Sequence, residues 1–503
     1  MDVLGYHEAT KHSVASIQRG PHHLDWEIMP QPFKLYADPS AIPLPQDFTS
    51  APRAVLAALA DTGAAADDGP RLDRSALARL LYFSAGVLRR KTYPGGEIYF
   101  RAAACTGALY HIDVYLVCGA LPDLDAGVYH FGPHDFALCR LRAGDHRAAL
   151  VAAMAAEPAI AAAPVVALFA TTFWRNAWKY QARAYRHAFW DAGTMIANLL
   201  AVAAAGALPA RVVGGFVDDD LDRLLDLDTA REATIAAVAL GRGAPVPPSA
   251  PPVAPLGLAT VPPSAREVDY PAIRAAHAAS SLAAASDVSA WRGTLAPRPF
   301  VAPAGEVVPL EPQLTVAAPV ETVILSRGST RAFARDAVPL SAAATILRVA
   351  TRGIPADFTA PGAPLTDVYV IVHAVDGIAP GTYVLDRAGG ALHRLRAGTF
   401  RREAGHLGLG QALPADAAFD VFWLSDLGPI VERFGDRGYR AAQLEAAIEA
   451  GKSYLAAYAV GIGATGLTFF DDDVTRFLSP HAAGKSVLFL MAFGRPERRP
   501  RQS

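Results

Sequence analysis

The sequence predicts an α+β protein made of two tandem copies of one domain. Two observations carry this. The first is internal repetition. Asp113-Val114-Tyr115 recurs as Asp367-Val368-Tyr369, Leu141-Arg142-Ala143-Gly144 as Leu395-Arg396-Ala397-Gly398, and Arg183-Ala184-Tyr185-Arg186 as Arg437-Gly438-Tyr439-Arg440. Each pair is 254 residues apart (367 − 113, 395 − 141, 437 − 183). One offset held over three separated blocks implies duplication and fusion, hence a covalent pseudo-dimer. The second is that each copy mixes short β-branched apolar runs, of strand length, with long Ala-rich stretches of helical length.

The elements follow in order. Residues 1–50 are irregular and Pro-rich, with Tyr6-His7-Glu8, His12 and His22-His23, and read as an arm on the first repeat rather than a metal site, because no helical His spacing occurs. The first repeat spans 51–243. Val114-Tyr115-Leu116-Val117 reads as a buried strand, Gly127 to Phe131 as a hairpin strand, and Val165 to Phe173 as another buried strand. Tyr185 to Ala204 is a proline-free, Ala-rich core helix, and Ala233 to Leu240 closes the repeat as a strand. Residues 244–320 begin with a Pro-rich stretch that favours extended conformation, and a helix is predicted at 265–284. The second repeat spans 321–503, with a helix from Ser341 to Thr351, strands at 368–372, 381–385 and 485–493, and the matching core helix.

Composition narrows the function classes. At 503 residues and 52% hydrophobic, the chain can fill two sizeable cores. A net charge of −2 gives no basic field to hold a phosphate backbone, so nucleic acid is not expected as a partner. Cys105, Cys118 and Cys139 form neither a disulfide framework nor a CxxC pair. The first twenty residues lack an apolar core, and runs such as Ile196 to Leu208 are too short for a membrane span. A cytoplasmic location is expected, with no membrane partner.

The copies differ in three places. The second carries Arg327-Gly328-Ser329-Thr330-Arg331, two guanidinium forks around a hydroxyl, a donor set suited to one phosphate. At an offset of 266 the first copy has Asp61, Gly63 and Ala65 instead. The first copy in turn has 12 extra residues between its helix and strand, including the small-residue loop Arg101-Ala102-Ala103-Ala104-Cys105-Thr106-Gly107-Ala108-Leu109-Tyr110, where a flat ligand could approach backbone N–H groups. Finally, Lys179-Tyr180 stands against Arg433-Phe434, an amine and a phenol against groups unable to transfer protons near neutrality.

Taken together these motifs resemble the nitroreductase superfamily, and within it the SagB/ThcOx-type azoline dehydrogenases. Residues 327–333 are similar to its FMN-phosphate motif, 101–110 to its small-residue loop, Lys179-Tyr180 to its Lys-Tyr motif, and Gly214-Gly215 to a turn near the flavin ring. Cys105 and His111 replace a serine and a proline of that pattern. The resemblance implies two nitroreductase-like domains, each a mixed sheet flanked by helices. It also implies one composite FMN site, with Arg327, Ser329 and Arg331 from repeat two and Arg101, Cys105, Gly107 and Ala108 from repeat one. Gly214, Gly215, Thr468 and Arg495 complete the expected cofactor set; Arg495, Arg498 and Arg499 after the last strand read equally as phosphate ligands or as a solvated basic tail. Lys179 would be the base, with a pKa lowered by burial, and Tyr180 would position or relay the proton. The substrate would be an azoline of a modified peptide or small molecule. Peptide-modifying proteins are possible partners, and either a monomeric pseudo-dimer or a homodimer fits. The rival readings are an NAD(P)H-dependent nitro or enone reductase and a non-catalytic scaffold.

Overall fold

The computed structural model describes residues 1–20, 22–37, 41–63, 70–93, 96–243, 245–292, 300–311, 314–360 and 363–497. Each repeat folds around one seven-stranded antiparallel sheet. In the first the order is Ala41–Pro43, Ala137–Ala143, Gly127–Gly132, Ile112–Cys118, Val165–Thr172, Glu232–Leu240, Ala210–Val213. In the second it is Val307–Pro309, Ala391–Ala397, Gly381–Asp386, Asp367–Val372, Phe419–Ser425, Ser486–Gly494, Gly463–Leu467. The register repeats as well: Tyr115 opposes His130, and Tyr369 opposes Val384. Alternation splits the apolar strand Ile112–Cys118 between two cores. Val114 and Leu116 face the central helices, while Tyr115 and Val117 face an outer layer.

The two core helices, Ala184–Ala205 and Arg437–Ala459, cross at the pseudo-two-fold axis. A Cβ on Gly193 would lie 2.4 Å from Ala447, and one on Gly451 would lie 2.6 Å from Ala197. Each glycine meets its own counterpart, 254 residues away, so the small side chains are what lets the backbones touch. The stretch Phe173–Ala205 is long and apolar enough to cross a membrane by length and composition, longer than the Ile196 to Leu208 run suggested, but all of its most apolar window is buried inside the protein.

Two readings change in detail. The insert of the first repeat falls in a segment that forms a separate two-stranded pairing, Val87–Tyr93 with Gly96–Arg101, and the small-residue loop follows it. The helix predicted at 265–284 is two shorter helices, Pro271–Ala279 and Ala285–Trp291. The segment carrying them is the second repeat's own arm. Val307–Pro309 pairs with its sheet as Ala41–Pro43 does with the first. Likewise Tyr6 packs edge-on against Tyr185 and Tyr439, and His277 packs edge-on against Tyr185.

Candidate functional site

The core helices carry one end of the site. Tyr454 donates to the Ser329 hydroxyl at 2.8 Å, Tyr458 donates to the Gly328 carbonyl, and the Thr330 N–H donates to Ala464 at 2.9 Å. These contacts curl 327–330 around the helix. Arg327, half-buried over the Tyr454 ring, reaches into the first repeat: its Nε donates to the Ala102 carbonyl at 3.1 Å and its Nη2 to the Arg101 carbonyl at 3.4 Å. The arginine motif of one repeat and the small-residue loop of the other are therefore in contact.

Asp191, on the first core helix, holds that loop. It accepts from the Thr106 N–H at 2.9 Å, the Thr106 hydroxyl at 2.7 Å and Cys105 Sγ at 3.0 Å, and it pairs with His111 Nε2 at 2.9 Å. Burial, then the neighbouring Asp191 carboxylate, pushes the Cys105 thiol well up, so it stays protonated. Gly107 and Ala108 both have positive φ, +63° and +55°. A Cβ at Gly107 would stand 2.8 Å from the Tyr180 hydroxyl, so the phenol lies directly on the loop. Burial, with Asp191 and Cys105 nearby, raises the phenol above its usual range.

From Tyr180 an aromatic wall crosses back into repeat two: Tyr180 to His187 (4.5 Å between ring centres), His187 to Trp190 (4.7 Å), and Trp190 to Phe469 (5.7 Å). Thr468 sits beside Phe469, and its Oγ1 is buried without a hydrogen-bond partner among the described residues. A chain of contacts thus runs from the half-buried Arg327 to the small-residue loop, and from that loop through Tyr180 and the aromatic wall to Phe469 beside Thr468. The donor set fits a phosphorylated planar cofactor such as FMN.

Other expected residues are exposed, turned inward or outside the described residues. Arg331 is exposed. Arg495 is exposed and donates through Nε to the Ala337 carbonyl at 3.0 Å; Arg498 and Arg499 lie outside the described residues. The Arg101 guanidinium is buried in its own repeat, donating to Ile112 and Pro32 and flanked by Phe33 and Tyr110. Lys179 is exposed rather than buried as expected, its ammonium 5.5 Å from the Tyr180 ring.

Gly214 and Gly215 belong to the opposite, pseudo-symmetric location, which protein fills. Their N–H groups donate to the Asp357 carboxylate at 2.7 and 3.1 Å, and the Trp291 indole packs within 3.0 Å of where a Gly215 Cβ would be. Trp291 also meets Phe434, the counterpart of Tyr180. At the other end, Asp61, in the place of Arg327, is paired with Arg53, and Gly63 packs on Pro355. Ala65 lies outside the described residues. Buried Lys452 donates to the Gly353 carbonyl at 2.8 Å, where Asn198 serves the Ala102 carbonyl in the first site. Burial lowers the Lys452 pKa to about 8.

Motif reading did not find Tyr454, Tyr458, Asp191, Asp357 or Trp291. The repeat offset held a signal for two of them: Tyr454 and Tyr458 stand where the first copy has Leu200 and Ala204.

The sequence profile of the Nitroreductase family matches the chain twice, at residues 71–242 and 324–495. A crystal structure of a putative nitroreductase from Anabaena variabilis is similar over 98% of this chain and 99% of that one, at 25% identity and a TM-score of 0.78. A putative nitroreductase of Methanocaldococcus jannaschii is 24% identical over 128 residues, which span 25% of this chain and 65% of that relative. A chain of the E. coli microcin synthetase McbBCD complex aligns with 48% of this chain and 86% of its own length, at 20% identity and a TM-score of 0.30.

Proposed function

The chain belongs to the nitroreductase family, and from that premise we propose that it is an FMN-dependent dehydrogenase with a single composite flavin site, acting on azoline-like heterocycles of a peptide or small molecule. The observation that carries the single site is the contact of Arg327 with the Ala102 carbonyl, set against the filling of the pseudo-symmetric location by Asp357 and Trp291. Each repeat contributes what the other has lost.

Arg327 and the Ser329 hydroxyl would hold the phosphate, and the loop Cys105 to Ala108 with Thr468 would border the ring. Bound FMN would supply a two-electron acceptor. Lys179 accepts the substrate Cα proton at Nζ, and Tyr180, seated on Gly107, orients the heterocycle beside it. Trp190 and Phe469 exclude water from the inner face.

The exposure of Lys179 favours one rival, a reductase that takes hydride from NAD(P)H and needs no dedicated base. One comparison separates them. Purified protein is loaded with FMN and offered a 2-aryl-thiazoline-4-carboxamide in air, or NADPH with a nitroaromatic acid. Loss of two hydrogens from the thiazoline supports the dehydrogenase. Steady NADPH oxidation with an unchanged thiazoline supports the reductase. Failure to bind FMN removes both.

A further inference from the structure

The helices Phe173–Tyr180 and Leu427–Phe434 are counterparts at the 254-residue offset, as are the core helices after them. Within this matched packing, three polar side chains of the first repeat that form one contact chain, Asn176 to His187 to Tyr180, have apolar counterparts in the second. Asn176 corresponds to Ile430, Tyr180 to Phe434 and His187 to Ala441. Ile430, Phe434 and Ala441 are all buried, so the architecture packs well without polar groups here.

The first repeat nevertheless keeps a polar pair at full burial. His187 and Asn176 are 1% and 0% exposed, and His187 Nδ1 lies 2.8 Å from Asn176 Oδ1. That contact assigns the proton to Nδ1, so Nε2 carries the lone pair. Neither His187 Nε2 nor Asn176 Nδ2 has a partner among the described residues. Burial, reinforced by Arg183 one turn away, holds the imidazole well below its usual pKa, so it stays neutral. A buried acceptor and a buried donor without partners are a cost that the second repeat shows to be avoidable. They are retained in the copy whose Tyr180 meets the Gly107 loop. The His187 ring stands edge-to-face with Tyr180 on one side and against Trp190 on the other.

We infer that Asn176 and His187 are positioning residues of the proposed site, acting through Tyr180. Asn176 fixes the imidazole, and the imidazole fixes the tilt of the phenol on the loop. This rests on the composite-site reading, because only that reading gives Tyr180 a substrate to orient. A histidine rather than an apolar residue suits the task for two reasons. A tautomer locked by Asn176 has one ring orientation, and a neutral ring places no cation behind the phenol.

The experiment transplants the second repeat's own residues, as Asn176→Ile with His187→Ala. That pair has a packed precedent at Ile430 and Ala441, so the variant is expected to fold and to bind FMN at the wild-type ratio. With 3-fluorotyrosine at position 180, the wild type should give one sharp fluorine resonance, and the double variant a shifted, broadened one. On the thiazoline probe, kcat should fall roughly tenfold or more with KM within about threefold, and His187→Gln alone should recover part of the loss. An unchanged resonance and a kcat within about twofold of wild type would overturn the inference. If the wild type binds no FMN, the proposed function fails, but the fluorine line still judges the positioning claim. If the variant does not fold, His187→Gln alone is read by the same line, and no change there overturns the claim.

Discussion

Arg186 and Asp471 join the two repeats through a buried ion pair of 2.6 Å, and Arg440 and Asp218 repeat it on the other side of the pseudo-axis, also at 2.6 Å. Arg183 and Arg437 add second contacts to the same two carboxylates. Both copies keep these arginines although Lys179-Tyr180 stands against Arg433-Phe434 close by in sequence, which fits a role in holding the fused pair. Removing one carboxylate leaves two buried cations without a counter-charge. Asp471→Asn should therefore cost about 3–5 kcal/mol of stability, measured by urea denaturation.

The same pairs set an acid limit. Burial alone would raise the Asp218 pKa, but Arg437 and Arg440 outweigh it and bring it from 3.8 down to about 2. Asp471 is depressed likewise, as Arg183 and Arg186 outweigh its burial. A carboxylate with a depressed folded pKa stabilises fully above its unfolded pKa and loses that contribution as pH falls through the folded value. Asp218 alone should contribute about 2 kcal/mol above pH ~5, lost progressively towards pH ~2. Unfolding followed by circular dichroism should show stability dropping over that window. A flat profile there would contradict the pairing.

Arg327→Ala should weaken FMN binding roughly tenfold to a hundredfold, from the loss of a charge-assisted hydrogen bond worth about 1.5–3 kcal/mol. Asp61→Arg should leave the stoichiometry at one flavin per chain, because Asp357 and Trp291 already occupy the other location. Flavin released by heat and counted by absorbance checks both. Two flavins in the Asp61→Arg protein would mean that the filling is not what closes that location.

Cys105→Ser should be mild. Cys105 Sγ donates to Asp191 and accepts from the Tyr110 N–H at 3.1 Å, and a serine hydroxyl can make both contacts. A protonated, partly buried thiol is a poor nucleophile, so iodoacetamide at neutral pH should label Cys105 in native protein more slowly than after unfolding. Peptide mass spectrometry after digestion reads Cys105 apart from Cys118 and Cys139. Rapid native labelling would point to a reactive cysteine instead of a loop anchor.

The fold was legible because the duplication is written in the sequence: Asp113-Val114-Tyr115 and its copy fix equivalent strands, and the Ala-rich helix pair follows. The contact of Arg327 with the 101–108 loop was foreshadowed by complementary losses between the copies. What stayed hidden depends on long-range packing. Nothing near Gly214 in the chain shows that its N–H is taken by Asp357, 143 residues away. Nor does local sequence show that Arg101 turns inward to Pro32, or that Lys179 points to solvent. The second arm was hidden for another reason: its alanines and prolines read as a connection until the pairing of Val307–Pro309 gave it a place.

Lys179 and Tyr180 divide the two functional readings most sharply. Tyr180→Phe copies the second repeat at Phe434 and changes little volume, so it should fold and keep flavin. If Lys179 is the base, Lys179→Gln should lower kcat on the thiazoline about 10²–10⁴-fold with flavin retained, since positioned proton transfer contributes about that much. Tyr180→Phe should lower kcat with flavin retained, because the phenol orients the substrate. A Lys179→Gln enzyme within about twofold of wild type would leave no base at this position. The solvent exposure of the ammonium would then be the natural state of a side chain at the mouth of a reductase pocket, and NADPH-driven turnover the activity to pursue.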